Sequence, residues 1–190
     1  MSYHQTSINA LTLLVELIRG GQPVEGRVRL QKLVYLLKAY GMKRLTGVKF
    51  RYHHYGPYSE QLAGALRSAV ASELIQEDTE CFDDEWQKFC YSLNVEHPDA
   101  EYLQLNSEEV ELVNTLKSKT KGCHWRELEL AATALFLERE RGLSRSDALE
   151  RALSLKPACR RYQDEAEQLL GSLDAALGAR QRSAPSFAAL

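Results

Sequence analysis

Residues 29–66 read RLQKLVYLLKAYGMKRLTGVKFRYHHYGPYSEQLAGAL, and this stretch predicts a helix, a strand, a turn and a second helix in succession. Leu30, Leu33, Val34 and Leu37 fall at i, i+3, i+4 and i+7, along one face of a helix. Tyr35 and Leu36 widen that stripe, so the helix is expected to be largely buried. Gly41 follows the last periodic residue, where a left-handed cap favours glycine. Val48–Tyr55 is rich in β-branched and aromatic residues, with Val48, Phe50 and Tyr52 alternating, and reads as a strand. Gly56-Pro57 ends it. Ser59 can accept hydrogen bonds from the free amides of a following helix. That helix is expected to run to about Leu74, with Leu62, Leu66, Ala69 and Val70 inward, and to lie across Leu30–Leu37.

Ile8, Leu11, Val15 and Ile18 predict a first helix after a loose lead at residues 1–5. Beyond Leu74, LIQED and Phe89–Leu93 read as two short strands, joined by an acidic connection long enough to form a wing. The order is close to a winged helix-turn-helix with one strand inserted before the third helix. The rest reads as helix. Asn106 with Glu109 resembles a capping box, and Trp125–Arg141 is apolar nearly all round in its middle, as a central buried helix would be. Trp125 is expected in the core. Ser144 with Asp147 caps the next helix, which Pro157 closes. A last helix carries Tyr162, Ala166, Leu169, Leu170, Leu173 and Leu177. The expected fold class is mostly α: a winged-helix-like part with a small β element over 1–95, a helical bundle over 96–178, and a disordered tail over 179–190.

With 190 residues, 44% apolar and 26% charged, the chain has the composition of a globular protein with a proper core. It has no apolar run of the roughly 20 residues that a membrane helix needs. No signal-type segment precedes the first helix, so a cytoplasmic location and no membrane partner are expected. Cys81, Cys90, Cys123 and Cys159 are widely spaced without a Cys-x-x-Cys pair, which fits reduced thiols better than a zinc site. No metal and no cofactor are expected.

The succession LQKLVYLLKAYG, short strand, YGPYS and helix resembles the motif pair of the YwgA-type bacterial family, of Panacea (SocA-like) antitoxin domains, and of the C-terminal domain of the macrodomain antitoxin DarG. The residues that carry the likeness are Leu30, Lys32, Leu33, Tyr35, Leu36, Tyr55, Gly56, Pro57, Tyr58, Leu62 and Leu66. LELAAT at Leu128–Thr133 and Leu155-Lys156-Pro157 look most like the YwgA-type group. The resemblance implies a winged-helix-like module used in toxin neutralisation, phage-related loci or regulation, acting by binding a partner. Because these motifs are mostly packing residues, they point to a fold more than to an activity.

Charge is segregated along the chain. From Gly26 to Ser59 there are eight basic residues and no acid; from Glu60 to Glu111 there are fourteen acids against Arg67 and Lys88. Solvated faces are the bland explanation of such runs, and partner electrostatics the sharper one. The wing carries Asp83, Asp84 and Trp86 among further acids and would repel phosphates, on which DNA affinity depends. Two functions follow. The first is a non-catalytic protein-binding module of antitoxin, phage-defence or regulatory type, its acidic wing imitating nucleic acid to a toxin-like partner. The alternative is a nucleic-acid-binding winged-helix regulator using basic residues 27–51. A homodimer is left open. Partner contacts are expected from Arg29, Lys32, Arg51, Tyr55, Tyr58, Arg67, Asp83, Asp84 and Trp86. His53-His54 is the one cluster with acid–base potential, but adjacent strand residues face opposite ways and no nucleophile or phosphate loop accompanies them. One histidine is expected packed, the other wet, and no residue is assigned a catalytic role.

Overall fold

A computed structural model of the chain describes residues 3–19, 23–82, 86–97 and 99–181, with the side chains at 3–4, 80–82, 86–88, 100 and 179–181 left aside. The protein is mostly α-helical with two small antiparallel sheets and a run of C-terminal helices. Helix α1 (Tyr3–Ile18) starts earlier than its periodicity implies, and Ile8 is exposed rather than inward. Strand β1 (Val24–Glu25) follows, then α2 (Arg27–Ala39), whose Leu30–Leu37 are all buried. Gly41, at φ 92°, takes the left-handed turn after it.

The predicted strand at Val48–Tyr55 is shorter, and its partner is the turn motif itself. β2 (Arg51–His53) pairs with β3 (Gly56–Tyr58), so Gly56-Pro57 belongs to the second strand of a small hairpin with His54-Tyr55 at its tip. Proline is tolerated there because this two-stranded ribbon has only edge strands. Helix α3 (Glu60–Ala71) then opens at Ser59, whose hydroxyl accepts the Leu62 amide. β4 (Ile75–Phe82) and β5 (Trp86–Leu93) form a long hairpin, and β1 adds to the far edge of β5. The strands therefore run through most of the predicted wing loop. Asp83 and Asp84 lie outside the described residues.

After a single turn of helix, α4 (Asp99–Tyr102), come α5 (Ser107–Lys119), α6 (Trp125–Arg141), α7 (Arg145–Leu155) and α8 (Gln163–Gln181), with a 3-10 turn at Pro157–Tyr162 between the last two. The Asn106–Glu109 capping box is present in both directions. In α6 every residue from Leu128 to Leu137 is buried, which makes it the axis of this half, and Gly142 ends it at φ 67°. One buried hydrophobic cluster takes residues from α1, α2, α3, α5, α6, α7 and α8. α2 packs on α6 and α3 on α1. Helix α3 thus does not lie across α2 as the sequence predicts. Only its first turn is anchored there, and a groove separates the rest.

No helix among the described residues is long and apolar enough to cross a membrane.

Candidate functional site

The β2–β3 hairpin rests on a frame of buried polar side chains supplied by other elements. The Gln31 amide of α2 donates to the Ser59 carbonyl at 3.1 Å and accepts the Ser59 amide at 2.9 Å. One turn along, the Lys32 ammonium donates to the Pro57 carbonyl at 2.8 Å. Lys156, after α7, donates to the His54 carbonyl at 2.6 Å and pairs with Glu129 of α6, also at 2.6 Å. Both members of that ion pair are almost fully buried. Cys159 Sγ lies 3.8 Å from the other Glu129 oxygen. Burial pushes the Lys32 ammonium down to about 7, with Lys156 adding to the effect and Glu129 opposing it. Gly56 completes the seat. Its φ is 83°, and a Cβ there would come 2.3 Å from Thr133 Oγ1 of α6, so both backbone and space demand glycine.

Above this frame the hairpin presents Arg51, Tyr52, His53, His54 and Tyr55 to solvent, with Tyr55 53% exposed and Tyr58 half-buried. Both histidines are exposed, which corrects the expectation that one packs inward. They stack on each other edge-on at 4.9 Å, and His53 also meets the Tyr58 ring at 5.2 Å. A three-residue strand laid on a polar frame leaves no apolar bed on its outer face.

Beside the hairpin, α2 and α3 border a groove of about 490 Å³ floored by Leu14, Leu30, Leu62 and Leu66. Arg67, exposed on α3, stands on its wall. The far end is closed by Arg27, which grips both Glu77 oxygens at 3.0 Å, donates to the Tyr91 hydroxyl at 2.9 Å and covers the Phe89 ring at 4.0 Å.

These contacts revise the expected partner residues. Arg29 is half-buried and spans to the end of α5, donating to Thr120 and Cys123 carbonyls at 2.7 and 2.8 Å. It terminates a helix rather than facing outward, because those carbonyls lack partners within α5. Lys32 is a buried strut, only 1% exposed. Arg51, Tyr55, Tyr58 and Arg67 gather around the hairpin and groove. The Trp86 side chain, like Asp83 and Asp84, is outside the described residues. Trp125 is 38% exposed, not core; it sits beside His124, which stacks on Tyr162.

The basic run is largely an internal device. Besides Arg27, Arg29 and Lys32, Lys38 donates to the Val48 carbonyl and Arg44 grips Glu109 at 2.8 Å. Lys43, Lys49 and Arg51 are left exposed, without an ion pair among the described residues. Periodicity could not single out Glu129 and Lys156 as the hairpin's supports. Their signal was a lone acid inside an apolar helix and a lysine at a helix stop. No group of three or more His, Cys, Asp or Glu among the described residues is placed to hold a metal ion.

Residues 30–132, more than half of the chain, match the family model for the antitoxin SocA-like Panacea domain. The chain belongs to this family. The match begins at Leu30 and takes in the hairpin, most of the groove between α2 and α3, and Glu129, while Lys156 and Arg27 lie outside it. No curated protein gives a match to the chain.

Proposed function

We propose that this Panacea domain neutralises a protein partner by direct, non-catalytic binding, and that the binding surface is the β2–β3 hairpin with its adjoining groove. The carrying observation is the investment beneath the hairpin. Four buried side chains from three elements, Gln31, Lys32, Glu129 and Lys156, fix the backbone or support of a hairpin whose outer side chains are all exposed. Burying polar and charged groups is costly unless they are fully paired. A rigidly held tip bearing Tyr52 and Tyr55 loses little entropy when it binds, and aromatic anchors of this sort dominate interface energies. The antitoxin family gives the class of partner, a toxin-like protein.

We read the order α1, β1, α2, α3 and the β4–β5 hairpin as winged-helix-like. The acid-rich β4–β5 hairpin, with Asp78 exposed, is an accessory surface that imitates nucleic acid to the same partner. The regulator reading is weaker, since Arg29 is spent on the Thr120 and Cys123 carbonyls and exposed Arg27 is already neutralised by Glu77.

The test is growth rescue. A toxin-like neighbouring reading frame is expressed alone and then with this chain. Rescue together with co-purification supports the reading, and Tyr55→Ala with Arg51→Glu is expected to abolish rescue while the protein stays folded. Absence of rescue combined with tight duplex binding at low salt would falsify it.

A further inference from the structure

We propose that the groove between α2 and α3 receives an amphipathic helix of the partner, its apolar side chains on Leu30, Leu62 and Leu66 and an acidic side chain directed at Arg67. The inference rests on the partner-binding reading above and adds what the partner must offer.

Its shape comes from how α3 is held. Because α3 leans on α1, its second long face has no helix against it among the described residues. Leu62, Ala63, Leu66, Arg67, Val70 and Ala71 all line the groove, at the three- and four-residue spacing of one helix face. Opposite them α2 offers Val28, Gln31 and Lys32. The lining of α3, from Glu60 to Ala71, is about 16 Å long at 1.5 Å per residue, the length of three helical turns. Two helix faces around an apolar floor are the setting in which a third amphipathic helix is recognised through anchors at i, i+3 or i+4, and i+7.

Its charge comes from what the walls leave over. Arg27 and Glu77 neutralise each other at the far end, which leaves the exposed Arg67 on the wall, with Glu60 two turns before it. Arg67 has no ion pair among the described residues, and Lys32 has the Pro57 carbonyl as its hydrogen-bond acceptor. Glu129, which faces the same cluster, is already paired with Lys156. Lys32, only 1% exposed, stays a strut beneath the groove, so the exposed Arg67 guanidinium is the cation that an arriving carboxylate meets. A small polar ligand fits less well, because the buried polar side chains that line the groove among the described residues, Gln31 and Lys32, already bond the Ser59 and Pro57 backbone. Nucleic acid fits least, given the leucine floor.

The experiment is a selection of random 12-residue displayed peptides on the whole chain, followed by titration of the best synthetic peptide by fluorescence anisotropy. The selected peptides are expected to carry large aliphatic residues at helical spacing with Asp or Glu among them. Arg67→Glu should weaken binding about tenfold or more, and lysine in place of the peptide's acid should restore it. Ala63→Trp, which fills the groove from its half-buried wall, should abolish it. The proposal falls if no peptide is enriched, or if the enriched peptides bind both variants as tightly as the original chain. Growth rescue separates the two readings. Rescue that survives both variants removes the groove and keeps the antitoxin. Peptide binding that obeys both variants, in a chain that rescues nothing, keeps the groove and removes the antitoxin.

Discussion

Gly56 concentrates two constraints in one residue: a left-handed backbone and a hydroxyl oxygen where a methyl group would go. Gly56→Ala is expected to destabilise the protein by roughly 3 kcal/mol, combining an αL penalty of about 1–2 kcal/mol with an overpacking cost of about 1–3 kcal/mol. Adding Thr133→Ala should recover the steric share and leave the backbone share, as urea unfolding of the single and double variants can show. Lys32 makes a pH-dependent prediction. Its folded ammonium titrates near 7, below the ordinary 10.5 of the unfolded chain. Between those values the unfolded state binds more protons, so stability rises with pH, by up to about 1.4 kcal/mol per unit. Below pH 7 both states are protonated and this contribution to the slope vanishes. Denaturation midpoints at pH 7 and pH 9 should therefore differ in the original chain, and the difference should shrink in Lys32→Met.

The hairpin, taken as an element, is too short to hold its own shape, and its stability is borrowed from α2, α6 and the end of α7. Lys156→Met leaves the Glu129 carboxylate buried without its cation, a change that costs about 3–5 kcal/mol when one partner of such a pair is removed. Far-UV circular dichroism during thermal unfolding should report the lowered Tm, and Lys156→Met with Glu129→Leu should regain most of it. What the sequence revealed about elements follows from how local each signal is. The Asn106 box, the Ser59 and Ser144 caps and the all-apolar middle of α6 are written within a few neighbouring residues, and each was legible. Strand β1 is two residues long and exists only because β5 is beside it. The same holds for Gly56–Tyr58, where turn chemistry and strand pairing coincide. Lys32 and Arg29 were indistinguishable from surface cations until their acceptors came from residues 25 to 94 positions away.

At the scale of the molecule, the direction in which α3 leans decides whether a groove exists, and no periodicity in α3 alone fixes its neighbour. It packs on α1, and the space between it and α2 is the one that Leu30 and Lys32 line. A single buried cluster joins helices from both halves of the chain, and Arg29 and Arg44 add polar ties from the first half to α5 and its end. Differential scanning calorimetry is accordingly expected to show one transition with matching calorimetric and van't Hoff enthalpies, and two resolved peaks would contradict it. The family match stops at residue 132, partway through α6 (Trp125–Arg141). Anyone trimming the chain to its homologous boundary would sever the most enclosed helix and discard the ammonium that counterbalances Glu129. The recognisable domain is thus shorter than the unit able to stand alone, and its tip owes its posture to residues that homology leaves out.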